Sequence, residues 1–157
     1  MPTPSPYRSL PAERRVALIT HAIKSSREGR DQYIMRLAAR SGFRAVTLKT
    51  WTPDRLAKEI VRMKAENAND ELELLQLLYV DLEPAIQITF LDAAGVPHEN
   101  GSIPDELERP YADAEAVRRA AAVVHDTHGE AGDHYLLTIA KYSLDAWPGI
   151  DEVVAAL

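Results

Sequence analysis

Three imidazoles and three carboxylates fall within ten residues of this chain: His125-Asp126-Thr127-His128, then Glu130, Asp133 and His134. Neutral imidazole and carboxylate oxygen are the ordinary ligands of zinc, manganese and related divalent ions. A metal held there would polarise bound water for hydrolysis. His125, Asp126, His128 and His134 are the candidate ligands, so a divalent metal is the cofactor of that reading and no cofactor belongs to its rivals. The same residues also have a plainer role. His125 and His128 stand in the last turn of an expected helix, where cations suit the negative end of the dipole.

A second set of chemically active side chains is basic. Arg36 and Arg40 stand at i, i+4, and Arg55, Lys58 and Arg62 line one face of a helix that starts at Thr52. Arg8, Arg14 and Arg15 stand beside Tyr7. Such stripes neutralise phosphates or the acids of a protein partner. Leu37 to Phe43, followed by Val46 and Leu48, has the spacing of a helix-turn-helix corner with a short second helix. Local pairing is the competing role, since Glu59 lies within reach of both Arg55 and Arg62 on a helix.

The pair His125-Asp126 at the end of an all-α helix resembles the central dyad of the HD-domain metal phosphohydrolases. The resemblance implies that His125 and Asp126 ligate metal, with His98 as the upstream histidine and Asp145 or Asp151 as the distal acid. It covers two contiguous residues, and Thr127-His128 stands where that family has an apolar residue and glycine. No membership follows from it.

Other chemistries lack their motifs. There is no P-loop, dinucleotide fingerprint or nucleophile elbow, and with no cysteine there is no thiolate zinc site or disulfide. Ser25-Ser26 and His21 share a helix without an acid that the sequence brings to them. Glu71, Glu73, Asp81 and Glu83 are expected as the wet edges of a leucine-rich helix, and Trp51 and Trp147 as packing anchors beside proline turns.

The elements that must position these residues are helical. Val16, Ile19 and Ile23 repeat at three-to-four spacing after Ser9 and Pro11, predicting a helix to about Arg27. Gly29 breaks it, and Asp31 starts a second that ends at Ser41-Gly42. Phe43, Ala45, Val46 and Leu48 fit a short strand or a turn of helix, and 43–50 is expected as a packed extended connector. Thr52-Pro53-Asp54 is the clearest helix start: cap, first-turn proline, acid. From Glu71 the pattern Leu72, Leu74, Leu75, Leu77, Leu78, Tyr79, Val80 is apolar nearly all round, predicting a central helix. Pro84 restarts the chain, Gly95-Val96-Pro97 stops it, and 98–110 is one long irregular segment. Asp113 caps a helix closed by Gly129, Asp133 begins another, and a short helix follows Trp147-Pro148-Gly149. The expected fold is an all-α irregular bundle of about six to eight helices over 10–157, preceded by an extended Pro-rich arm over 1–9.

Charge then bears on partners. Residues 1–64 hold 14 basic and five acidic side chains, a net of +9, whereas the remainder holds four and 19, a net of −15. A split this lopsided concerns association and not fold. At 157 residues, without an apolar run near the roughly 20 needed for a bilayer, the expectation is a cytoplasmic protein with no membrane partner and no signal peptide. The expected function is a non-catalytic helical interaction module, docking a protein partner or itself as a homo-oligomer, most simply a dimer. A nucleic-acid-binding regulator and a metal-dependent hydrolase on His125–His134 are the rivals.

Overall fold

The computed structural model describes residues 5–157. Among them are eight α-helices and a π-turn, with no strand. The chain is all-α and divides into two compact units, Met1–Leu77 and Leu78–Leu157.

The first unit holds α1 (Ala12–Ser25), α2 (Arg27–Ser41), α3 (Ala45–Leu48), α4 (Pro53–Met63) and α5 (Ala68–Leu77). Helix α1 packs on α2, α4 and α5, and Leu18, Ile19, Ile34, Leu37, Leu56 and Ile60 close the core between them. Each such side chain contributes about 1.5–3 kcal/mol by leaving water. Thr52 caps α4 as its sequence predicts, its Oγ1 accepting from Arg55 N–H at 3.2 Å with Pro53 in the first turn. Asn67 and Asp70 cap α5 reciprocally. The Asn67 Oδ1 accepts from Asp70 N–H at 3.0 Å, and the Asp70 carboxylate accepts from Asn67 N–H at 3.3 Å.

Three boundaries differ from expectation. Ser9 does not cap α1: its hydroxyl donates to Ser5 O, and Pro11 precedes the helix with no side-chain cap. The break before α2 comes at Ser26 and not Gly29, because extended Ser26 turns its Oγ onto Gly29 N–H at 3.0 Å, leaving Asp31 inside the helix. Residues 43–50 take the turn-of-helix alternative and form neither strand nor extended connector. With no strand beside it, the segment satisfies its backbone locally through Thr47 and Leu48 N–H to Arg44 O, giving the one-turn α3. Of the expected arm, residues 1–4 lie outside the described residues. Ser5 to Ser9 is a hydrogen-bonded turn rather than extended chain, and it carries Tyr7 into the core.

The second unit holds the π-turn Leu78–Leu82, α6 (Pro84–Ala94), α7 (Ala114–Tyr142) and α8 (Ile150–Ala155). Helix α7 packs against both α6 and α8. The π-turn closes with Glu83 N–H on Leu78 O at 2.7 Å. The run from Leu72 is not buried all round: Leu74, Leu75, Leu78 and Tyr79 are inside, but Leu72, Val80 and Leu82 are exposed. Gly95 in the left-handed region ends α6, where Val96 N–H reaches Leu91 O and the Val96 side chain is buried. Phe90 makes edge contacts with Tyr135 and Trp147, so Trp147 is an anchor of this core as Trp51 is of the first.

Two glycines shape α7 for different reasons. Gly129 has φ 58 and ψ −131, a conformation that a Cβ forbids, and there the helix folds back on itself. Gly132 is helical but lies against the first arm: a Cβ on it would stand 2.6 Å from Val124 O.

Candidate functional site

The fold-back at Gly129 decides the fate of the histidine cluster. It brings His125 to Asp133, with Nδ1 2.6 Å from Oδ1. That hydrogen bond and the carboxylate charge hold the His125 pKa above the ordinary imidazole range. His128 turns to α6 instead. The Thr89 hydroxyl donates to Ala85 O at 2.8 Å, so the His128 Nε2 at 3.0 Å donates to the Thr89 oxygen. His134 turns to the π-turn and bonds the Tyr79 hydroxyl through Nδ1. The three imidazoles therefore serve three separate contacts. His98 serves a fourth, its Nδ1 accepting from Gly101 N–H at 3.0 Å and its Nε2 donating to Asp92 at 2.6 Å. Asp145 pairs with Arg109 at 2.9 Å, and Asp151 is an exposed first-turn acid of α8. Among the described residues no group of three His, Cys, Asp or Glu side chains converges as metal ligands. His125, Asp126, His128 and His134 thus do not meet around one point.

The His125–Asp133 pair has the geometry of an imidazole oriented by an acid, the supporting half of an acid–base machine. Its other half, a hydroxyl bonded to His125, is missing among the described residues. His125 does line something. Between the first arm of α7 and α8 runs a groove of about 390 Å³. Ala121, Ala122, Leu136, Val153 and Ala156 supply most of its apolar lining. Arg118, His125, Asp126 and Glu152 stand at its polar margin. Sequence reasoning missed it, although the small residues Ala121, Ala122 and Ala156 were its signal: short side chains leave the space between two helices unfilled.

The basic stripes resolve into local contacts. Arg36 binds Asp70 through both guanidinium nitrogens and lies 5.3 Å from the Tyr33 ring centroid. Lys58 pairs with Asp54 at 3.0 Å, and Arg62 closes on Glu59. Arg40 donates to Met63 O near the end of α4, and Arg55 lies 3.9 Å over the Trp51 ring. Arg36, Lys58 and Arg62 thus spend their charge within the unit, whereas Arg40 and Arg55 form no ion pair among the described residues, although the Arg55 charge helps Arg62 hold the Glu59 pKa down. The helix-turn-helix spacing ends in α3, whose four residues span about 6 Å, too short to track a major groove.

The N-terminal turn is held by a buried polar cluster that no sequence signal announced. Tyr7 donates to Glu66 Oε2 at 2.6 Å, and burial, reinforced by that carboxylate, pushes the phenol pKa far up. Arg8 donates to Glu71 Oε1 at 3.0 Å and to Glu66 O at 3.1 Å. Its Nη1 lies 3.3 Å from Glu66 Oε1, off hydrogen-bond alignment, so that oxygen has charge compensation but no donor.

No protein-family model, curated protein or solved structure matches the chain. Among the described residues no single helix is long and apolar enough to cross a membrane.

Proposed function

We propose that this chain is a non-catalytic helical interaction module that binds further copies of itself through surfaces of opposite charge. The supporting observation is that the two compact units keep opposite net charge. Residues 1–77 hold 14 basic and nine acidic side chains, a net of +5, and residues 78–157 hold four and 15, a net of −11. The two compact units are therefore a cation and an anion on one chain. In the first, Lys24, Arg27, Arg44, Lys49 and Lys64 make no ion pair among the described residues. In the second, Glu99, Asp105, Glu106, Glu108, Glu130 and Glu152 make none. His125, His128 and His134 hold contacts to Asp133, Thr89 and Tyr79, which supports a structural role for them.

Sedimentation velocity across a salt series tests this. The Debye length falls from about 10 Å at 0.1 M to about 3 Å at 1 M, so the association constant falls with added salt. A monomer at every ionic strength would refute the proposal. A dimer indifferent to salt would assign the interface to apolar burial instead.

A further inference from the structure

The first unit presents a rigid apolar knob. Phe43 is 44% exposed and Val46 75%, unusual for side chains of this size next to a filled core. Neither dangles. The Phe43 ring packs edge-on against buried Trp51 at 5.2 Å, and Arg55 covers the same indole. Val46 sits on α3, and the Arg30 guanidinium bonds Lys49 O and Trp51 O just beyond that helix. Flanking the knob, Arg44 and Lys49 are exposed and form no ion pair among the described residues. A pre-organised knob loses little conformational entropy on docking.

The second unit presents the matching hole. The α7–α8 groove, about 390 Å³, lies within the size range of binding clefts. Its apolar lining is mostly alanine, valine and leucine, so an apolar side chain entering it trades water for contact. Its polar lining is the carboxylates of Asp126 and Glu152 beside Arg118 and His125. Knob and hole thus match in polarity, Asp126 and Glu152 offer partners to Arg44 and Lys49, and the two surfaces belong to units of net +5 and −11.

We propose that the Phe43–Val46 knob of one copy seats in the α7–α8 groove of a second copy, with Arg44 and Lys49 meeting Asp126 and Glu152. This rests on the self-association reading and names its contact. Because knob and hole are different surfaces, the contact is head-to-tail. Two of them related by a twofold close a dimer, and repetition without closure gives a chain of copies.

The test uses the full chain at low salt with two single variants on exposed positions, Val46→Asp on the knob and Ala122→Trp in the groove. Each alone should weaken self-association at least about tenfold, roughly 1.4 kcal/mol, with unchanged helical circular dichroism. An equimolar mixture of the two retains one intact knob and one intact groove, so it should form a 1:1 complex where neither variant associates alone. Arg44→Glu with Lys49→Glu should also weaken association, and adding Asp126→Lys with Glu152→Lys should restore it. If both single variants associate like the parent with the same salt dependence, the proposed contact is wrong while self-association stands. If the mixture stays monomeric although the parent associates, the knob and hole are not each other's partners. A parent that is monomeric at every salt concentration overturns both readings. Single-stranded DNA retained by the parent and lost in Val46→Asp, with no complex in the mixture, would reassign the knob to nucleic acid and overturn the contact as well.

Discussion

Replacing Gly132 by alanine removes no contact and adds one methyl group, yet it should destabilise the second unit. In an ordinary helix the change is favourable by about 0.5–1 kcal/mol, because glycine loses more backbone freedom on folding. Here the new Cβ would lie 2.6 Å from Val124 O, 2.8 Å from Val124 Cγ1 and 3.1 Å from His128 Cβ. The closest of these is main-chain oxygen, which no rotamer change can move aside. Relief requires the two arms of α7 to separate, and Val124 is fully buried, so separation opens the packing around it. Overpacking of this kind costs about 1–3 kcal/mol, which set against the propensity gain leaves a net loss of about 1 kcal/mol and at most about 2.5 kcal/mol. Urea denaturation followed by circular dichroism reads it directly, as a lower midpoint at unchanged slope. Gly129→Ala is the informative companion. Nothing lies within 4 Å of its Cβ, so any loss there is backbone strain alone. Stability equal to or above the parent in Gly132→Ala would mean that the arms do not approach as closely as described.

Thr52→Ala should cost about 1 kcal/mol, because Arg55 N–H loses its acceptor at the start of α4; an unchanged melting midpoint would contradict the cap. Leu75→Ala, at a position 1% exposed, should cost about 2–5 kcal/mol by lost burial and a cavity, read by the same denaturation. Tyr7→Phe removes the donor to buried Glu66 and should cost about 1–3 kcal/mol, with the N-terminal turn cut sooner by protease. Asp133→Asn should lower the His125 pKa in an NMR titration, since its hydrogen bond and charge hold that pKa up. A raised folded-state pKa stabilises below the unfolded value and is lost as pH climbs through the folded one. The parent should therefore exceed Asp133→Asn in stability at about pH 5.5 and lose that advantage at about pH 8.5.

The helices were legible wherever a cap and a periodic face agreed. Thr52-Pro53-Asp54, Ser41-Gly42, Asp113 and Ala94-Gly95-Val96 all end or begin helices as their chemistry requires. Legibility failed where two residues competed for one job. Ser26 and Gly29 both mark a break, and the serine oxygen won because it satisfies an amide that glycine merely offers. The site was harder to read, because clustering along the chain is not convergence in space. His125, His128 and His134 lie within ten residues, but the fold-back at Gly129 aims them at Asp133, Thr89 and Tyr79. The Glu66 carboxylate that receives Tyr7 stands 59 positions away, beyond any periodicity. The groove was written in alanines, which announce themselves only when two helices face each other.

Local pairing and net charge act on different scales. Lys58–Asp54 and Arg62–Glu59 are exposed helix pairs screened by solvent, so they contribute little to folding. They nonetheless remove those cations from any role in specific docking, because a guanidinium already on a carboxylate gains little from a second. What they leave untouched is the sum. An approaching body beyond contact distance feels net charge and not the individual pairs. At physiological ionic strength that field fades within about 8 Å, so it steers the encounter and does little once the surfaces meet. Residence then depends on apolar fit and on charges still unspent. Among the described residues of the first unit, these coincide where Arg44 and Lys49 flank the exposed Phe43 and Val46. The stripe Arg55-Lys58-Arg62 fits that division poorly, since two of its three cations are engaged and Arg55 already rests on Trp51. The contact proposed above therefore lies off the Arg55-Lys58-Arg62 stripe of α4, on α3 and the residues that flank it.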